Sequence, residues 1–226
     1  MRLGIILILL GLITMVACKK DKNNATYNLH TDYFPLTEGR FIIYDVSEMI
    51  HDQDISQHDT AHYWLKTVVG QEYIDNSGRT ARELIRYKSV DSGISWQTMD
   101  VWTSILDGNR AETVEENQRL LKLVFAPTSD KEWDINVYNT GSKQNAHYTS
   151  IHVPFSLNAF QFDSTIRVEQ ANYFTLVDFK NQTEVYAKGI GLVQKTFKDL
   201  EIQNFDTLNV QKGKELYLNC ISFGFE

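Results

Sequence analysis

The densest group of side chains able to do chemistry is His51-Asp52-Gln53-Asp54, followed closely by His58-Asp59-Thr60-Ala61-His62. Histidines four residues apart with an acid between them have the ligand spacing of a zinc-hydrolase helix. That chemistry needs both imidazoles on one helical face and a Glu long enough to reach the metal-bound water. Here the acid is Asp59, and the Tyr63-Trp64-Leu65 that follows favours a strand. In a strand His58 and His62 share a face but stand about 13 Å apart at ~3.3 Å per residue, too far for one ion. Only a loop folding back would bring His51, Asp52 or Asp54 nearer. The expectation is therefore a solvated hairpin loop, with no metal and no cofactor.

Other candidates are thinner. His147 and His152 fall on opposite faces of a strand expected over 146–155 and have no evident partner. No G-x-S-x-G elbow occurs, and no Ser or Cys sits beside a recognisable base. Glu112, Glu115 and Glu116 offer carboxylates, but a catalytic pair is defined by separation in space, and this run reads as a solvated strand end. Cys220, among Leu218, Ile221 and Phe223, reads as a small core hydrophobe, since no positive neighbour lowers its pKa. No catalytic residue is assigned, and a non-enzymatic role is expected.

The elements that position these groups are strands. Ala61, Tyr63, Leu65, Thr67 and Val69 alternate with largely polar residues, the period of a strand with one buried face. Asp75-Asn76-Ser77-Gly78, Asp91-Ser92-Gly93 and Asp107-Gly108-Asn109 are turn clusters, because Gly and Asn reach positive φ cheaply. Strands are expected near 40–50, 60–74, 80–90, 94–106, 110–116 and 119–126. After an interruption at Pro127-Thr128-Ser129-Asp130, others fit 146–155, 160–170, 172–179, 183–188, 191–203 and 213–223. No amphipathic helix, βαβ rhythm or fixed-period repeat is visible. The fold class is all-β, a single antiparallel meander sheet curved into a half-barrel or open barrel, with a β-sandwich as second choice. A concave sheet face could hold an apolar ligand.

Composition agrees. Aromatics make up 12% of the 226 residues, with 11 Tyr, 12 Phe and only 3 Pro, a mix suited to pleated, half-buried surfaces. The net charge is −7, and no dense Lys/Arg run is present, so nucleic acid is not an expected partner.

Residues 1–17 have the pattern of an export signal. Met1-Arg2 is positive, Leu3 to Val16 is apolar apart from Thr14 and two glycines, and Lys19-Lys20-Asp21-Lys22 is abruptly polar. Such a run is short for a transmembrane helix, which needs ~20 apolar residues. Val16-Ala17-Cys18 resembles a bacterial lipobox, with Met15 standing where Leu is usual. The resemblance implies cleavage before Cys18 and acylation of that residue, with a membrane as partner through the lipid. Residues 18–32 then read as the lipidated Cys and a polar tether, and 33–226 as one all-β domain.

Two further segments carry a family resemblance. Tyr33-Phe34-Pro35-Leu36-Thr37-Glu38-Gly39-Arg40-Phe41 is similar to the opening of domains common in envelope lipoproteins of the Bacteroidota, although Arg40 and Ile42 replace the Asn and Trp often found there. Glu184-Val185-Tyr186-Ala187-Lys188-Gly189-Ile190-Gly191-Leu192-Val193 resembles a later segment of the same proteins. The resemblance implies an all-β lipoprotein and no particular activity. Asp59-Thr60-Ala61, Asp163-Ser164-Thr165 and Asp206-Thr207-Leu208 resemble the sites at which that group O-glycosylates exported proteins.

Read locally, Pro35 and Gly39 set a turn before the first strand, and Gly189 and Gly191 suit a bulge or bend. The expected function is that of an outer-membrane lipoprotein facing the periplasm, with the cell surface as the other location. Its role is binding or structural, with an apolar ligand or an envelope protein as partner. The alternatives are a carrier of apolar molecules in the concave face and a hydrolase of envelope polymers.

Overall fold

The computed structural model describes residues 27–226, so the export segment and Cys18 lie outside the described residues. The strands run, in order, β1 (Arg40–Asp52), β2 (Gln57–Ile74), β3 (Thr80–Ser89), β4 (Gln97–Asp107), β5 (Arg110–Glu115) and β6 (Gln118–Val124). They continue as β7 (Glu132–Asp134), β8 (Asn145–Leu157), β9 (Phe160–Phe174), β10 (Asp178–Ala187), β11 (Gly191–Gln203) and β12 (Asp206–Phe225). Among the described residues these twelve strands form one sheet, ordered β6-β5-β4-β3-β2-β1-β12-β11-β10-β9-β8-β7, with every pairing antiparallel. The first and last strands pair in the middle of the sheet, and the two edges curl round into a nearly closed barrel. The curved single sheet is the architecture adopted, and the sandwich is not.

Closure answers a physical demand, because an edge strand presents unpaired amides and carbonyls. Here β6 and the segment around β7 satisfy each other. The Leu121 N–H donates to the Ile135 carbonyl at 2.9 Å, and the Trp133 indole donates to the Leu121 carbonyl at 3.0 Å. The Tyr148 hydroxyl donates to the Val124 carbonyl at 3.0 Å and accepts from the Val124 N–H at 3.2 Å. Leu121, Leu123 and Phe125 pack here against Trp133, Tyr148, Ile166 and Val168 in one of two core clusters. The second joins β1, β2 and β9–β12 through Tyr44, Val46, Leu65, Phe162, Val185 and Leu218.

The three expected turn clusters all fall between strands, at β2–β3, β3–β4 and β4–β5. Two expectations fail. The three-residue β7 carries no period-two pattern of its own and was not anticipated. Residues 172–179 do not form a separate strand: β9 runs through to Phe174, and the chain reverses at Thr175-Leu176-Val177. That turn contains no Gly, Pro, Asn or Asp. It is held by Thr175, whose hydroxyl accepts from the Asp178 N–H at 2.9 Å while its own N–H donates to the Asp178 carbonyl at 2.8 Å.

The barrel's contacts begin slightly before Tyr33. Leu29 packs on the first core cluster, and the ring of His30 lies 4.4 Å from that of His152.

Candidate functional site

The inward faces of the strands do not fill the barrel. A cavity of about 160 Å³ remains, walled by Ile42, Tyr44, Leu65, Val69, Leu84 and Leu218 among others. Tyr63, Leu65, Thr67 and Val69, which the alternation in β2 places on one face, all line it. Its size is comparable to the ~150 Å³ apolar void that admits a benzene ring, and it falls below the ~300–1,000 Å³ of common drug-sized pockets.

The two segments that resemble envelope lipoproteins meet at this cavity. Phe34, Pro35 and Leu36 line it together with Glu184, Tyr186, Ile190, Gly191 and Leu192. They are tied together by the Gly189 N–H donating to the Asp32 carbonyl at 2.7 Å and by Lys188 Nζ at 3.5 Å from Asp32 Oδ2. Gly191 has φ +108°, and a Cβ there would contact Ile42 and Pro35. A side chain would therefore strain the backbone where the two segments meet. Pro35 does more than introduce β1: it also lines the cavity.

One wall is charged. Lys122 Nζ lies 2.7 Å from Glu184 Oε1 and 3.7 Å from Glu115 Oε1, with Lys195 Nζ 3.4 Å from Glu184 Oε1. The Tyr186 hydroxyl donates to Glu184 Oε2 at 2.6 Å. Glu184 is 1% exposed and Lys122 6%, which is possible because charges at such depth are paired and hydrogen-bonded. Desolvation alone would raise the Glu184 carboxyl. Lys122 and Lys195 outweigh it, helped by the hydrogen bonds from Lys122 and Tyr186, and hold the group below the usual carboxylate range. Glu115 is likewise lowered against its desolvation, chiefly by Lys122 and Lys195.

The part of the lining from β3 and β4 is differently arranged. Cross-strand register aligns Ile42, Thr67, Arg86 and Asp100 in one row, and Val69, Leu84 and Trp102 in the next. The Arg86 guanidinium stacks on Trp102, with its carbon 3.6 Å from the ring centroid. Its closest carboxylate contact is Asp100 Oδ2, at 3.5 Å from Nη1. Arg86 Nε and Trp102 Nε1 are both buried without a hydrogen-bond partner. Desolvation raises the Asp100 carboxyl, with Arg86 opposing.

The sequence-selected residues fare unevenly. The β1–β2 hairpin pairs His51 with His58, whose Nδ1 atoms lie 3.1 Å apart, and His51 Nε2 is 3.4 Å from Glu215 Oε1. His62 lies further along β2 opposite Ser47, as the strand reading requires. Among the described residues no group of three or more His, Cys, Asp or Glu is arranged to hold a metal.

His152 does have partners. It occupies a bulge in β8 with φ 56°, and its Nδ1 lies 2.6 Å from the hydroxyl of fully buried Tyr33, which also contacts Ser164 Oγ at 2.6 Å. Bulges re-aim side chains, so the strict alternation that isolated His152 breaks there. His147 lies 3.7 Å from Glu169.

Glu112 and Glu115 are not a solvated strand end. Glu112 is fully buried, 2.7 Å from Arg119 and 3.0 Å from Arg79, and Glu115 lines the cavity. Their burial depends on cations supplied by other strands and by the β2–β3 turn, which a local reading does not see. Cys220 is a buried free thiol, and desolvation pushes it up to about 11. Thr60 and Thr207 are exposed, whereas Ser164 is half-buried and bonded to Tyr33.

The residues missed were Lys122, Lys195, Arg86 and Trp102. Lys122 left a trace, as the one charge in the apolar run Leu120 to Val124. Arg86 and Trp102 left none, since their pairing appears only once β3 and β4 are in register.

No family model matches the chain, and no curated protein matches its sequence. Two solved structures are similar in outline. One is a proposed exported protein with a YmcC-like fold from Bacteroides fragilis, 11% identical, with TM-score 0.46 over 84% of this chain and 98% of that one. The other is a proposed lipoprotein from Parabacteroides distasonis, 10% identical, with TM-score 0.44 over 85% of this chain and 98% of that one.

Proposed function

We propose that this chain is an exported lipoprotein, anchored through Cys18 in the outer membrane and facing the periplasm, whose barrel binds a small molecule in its interior. The single observation that carries the binding role is the cavity, in which an apolar wall faces buried donors on Arg86 and Trp102 that have no protein partner. Small-molecule sites typically combine an apolar lining with a few placed polar groups. The anchoring rests on the order of charge, apolar run and Cys18 in the sequence.

A binding role is favoured over hydrolysis by the state of the cavity carboxylates. Two-carboxylate hydrolysis divides the work between one raised and one ordinary acid. Here Glu115 and Glu184, the two carboxylates of the lining, are both lowered by the same lysines, and Asp100, whose carboxyl is raised, is not among the lining residues.

The binding test is to extract the purified protein with organic solvent and analyse the extract by mass spectrometry. The expected result is a small molecule released from the wild type and absent from Leu84→Trp, which fills the wall. An empty wild type, or the same molecule released from both, contradicts the reading. For the anchor, Cys18→Ala is expected to release the protein from envelope membranes, and continued membrane partitioning would overturn that part.

A further inference from the structure

We infer that the Arg86–Trp102 side of the cavity is the seat for a carboxylate head group, so that the barrel takes a small aryl or alkyl carboxylate. The inference rests on the reading of the barrel as a ligand-binding site and names the class of ligand.

Charge balance is the first argument. The cavity lining includes four cations, Arg40, Arg86, Lys122 and Lys195, against two anions, Glu115 and Glu184. Counting Asp100 beside Arg86 still leaves the lining one positive charge in surplus, inside a chain whose net charge is −7. A positive interior within an acidic protein concentrates anions where low-dielectric walls focus the field.

With Asp100 set against Arg86 the leftover positive charge is Arg40, whose Nε is buried without a partner, but unmet donors are also gathered at Arg86. Glu115 and Glu184 are engaged by Lys122 and Lys195, and Glu184 also accepts from Tyr186. Arg86 stands about as far from Asp100 as Lys195 does from Glu184, but among the described residues it makes no hydrogen bond to a carboxylate. It is 8% exposed, meets Asp100 only at 3.5 Å, reaches Met99 Sδ at 3.8 Å, and leaves Nε without a partner. The Trp102 ring stacked against it holds a second unpartnered buried donor, Nε1. A guanidinium offers a rigid fork of donors that matches the two oxygens of a carboxylate, and stacking on an aromatic ring fixes the plane of that fork.

The apolar wall sets the other half of the ligand. Leu65, Val69 and Leu84 lie within the same strands as Thr67 and Arg86, so an apolar body extends from the head group along β2 and β3. A volume of about 160 Å³ suits a single ring or a short chain.

The test uses the mature chain from residue 18 with Cys18→Ser to prevent acylation. Benzoate and hexanoate are titrated calorimetrically beside the neutral isosteres benzamide and hexanamide. The expected result is that at least one acid binds tenfold or more tightly than its amide. Arg86→Met should abolish that preference, the acid losing more affinity than the amide. Trp102→Phe keeps a ring for stacking but removes Nε1, and should reduce the preference by several-fold. Arg86→Lys, which retains charge without the fork, should fall between the wild type and Arg86→Met. Equal binding of acid and amide would overturn the anion assignment and leave the ligand-binding barrel standing. If none of the four compounds binds, both the assignment and a cavity open to ligands of this size are overturned.

Discussion

The cavity has two charged walls, and they are built on opposite terms. On the β5–β6–β10–β11 side, Lys122, Lys195, Glu115, Glu184 and Tyr186 pair with one another at distances from 2.6 to 3.7 Å. On the β3–β4 side, Arg86 holds one carboxylate at 3.5 Å and keeps a buried donor unpaired. A buried charge set satisfied within the protein fixes how the strands converge and asks nothing of a ligand. A partly satisfied one is costly to leave unmade and gains when a ligand completes it. On the proposed reading, the first wall holds the barrel together and the second recognises the ligand.

The largest expected effect breaks the paired wall. Lys122→Met leaves Glu184 buried beside Lys195 alone, and should cost about 3–5 kcal/mol of unfolding free energy by urea denaturation. Replacing both charges, in Lys122→Met with Glu184→Met, should recover most of that loss, because the deepest carboxylate goes with its cation, and the Lys195 and Glu115 left behind are opposite in sign and partly exposed. A double variant as unstable as the single one would mean that the network matters through shape and not charge.

Acid should act on the same wall. The folded carboxyls of Glu184 and Glu115 lie below their unfolded value of 4.5, so their contribution is complete above that value and is lost as pH falls through the folded pKa values. Urea midpoints should therefore drop steadily below about pH 4.5, and the slope should flatten in the double variant. An unchanged slope there would assign the acid sensitivity to other carboxylates.

Tyr33→Phe tests a contact outside both walls, between the segment before β1 and the β8–β9 pair. It removes the hydroxyl shared by His152 and Ser164 and should cost about 1–2 kcal/mol by the same assay. The smallest effect is expected on the recognising wall. Arg86→Met gives up its stack on Trp102 but also removes a half-paired buried charge, so its stability should change by about 1 kcal/mol or less. A loss as large as that of Lys122→Met would make Arg86 structural and erase the distinction between the walls.

Much of the fold could be read from local chemistry. The turn clusters at 75–78, 91–93 and 107–109 and the alternation through Tyr63, Leu65, Thr67 and Val69 depend on near neighbours, and they appear where expected. The seam could not be read that way. Its β7 has three residues, and its closure is made by Trp133, Tyr148 and the Ile135 carbonyl acting across many residues. The site was partly visible in disguise. The segments opening at Tyr33 and at Glu184 could be singled out, but their meeting around one cavity depends on the path of the whole sheet. Arg86 and Trp102 look like ordinary strand residues until register brings them together.

The most direct measurement follows the indole N–H signals of the chain's four tryptophans by NMR during addition of benzoate. Trp133 already donates to the Leu121 carbonyl, whereas Trp102 Nε1 is buried and unpartnered at the cavity. Occupation of the recognising wall predicts a saturable downfield shift of the Trp102 signal, with little change in that of Trp133. A Trp102 signal that stays in place through saturating benzoate, or four indoles that drift together without saturation, would contradict the account.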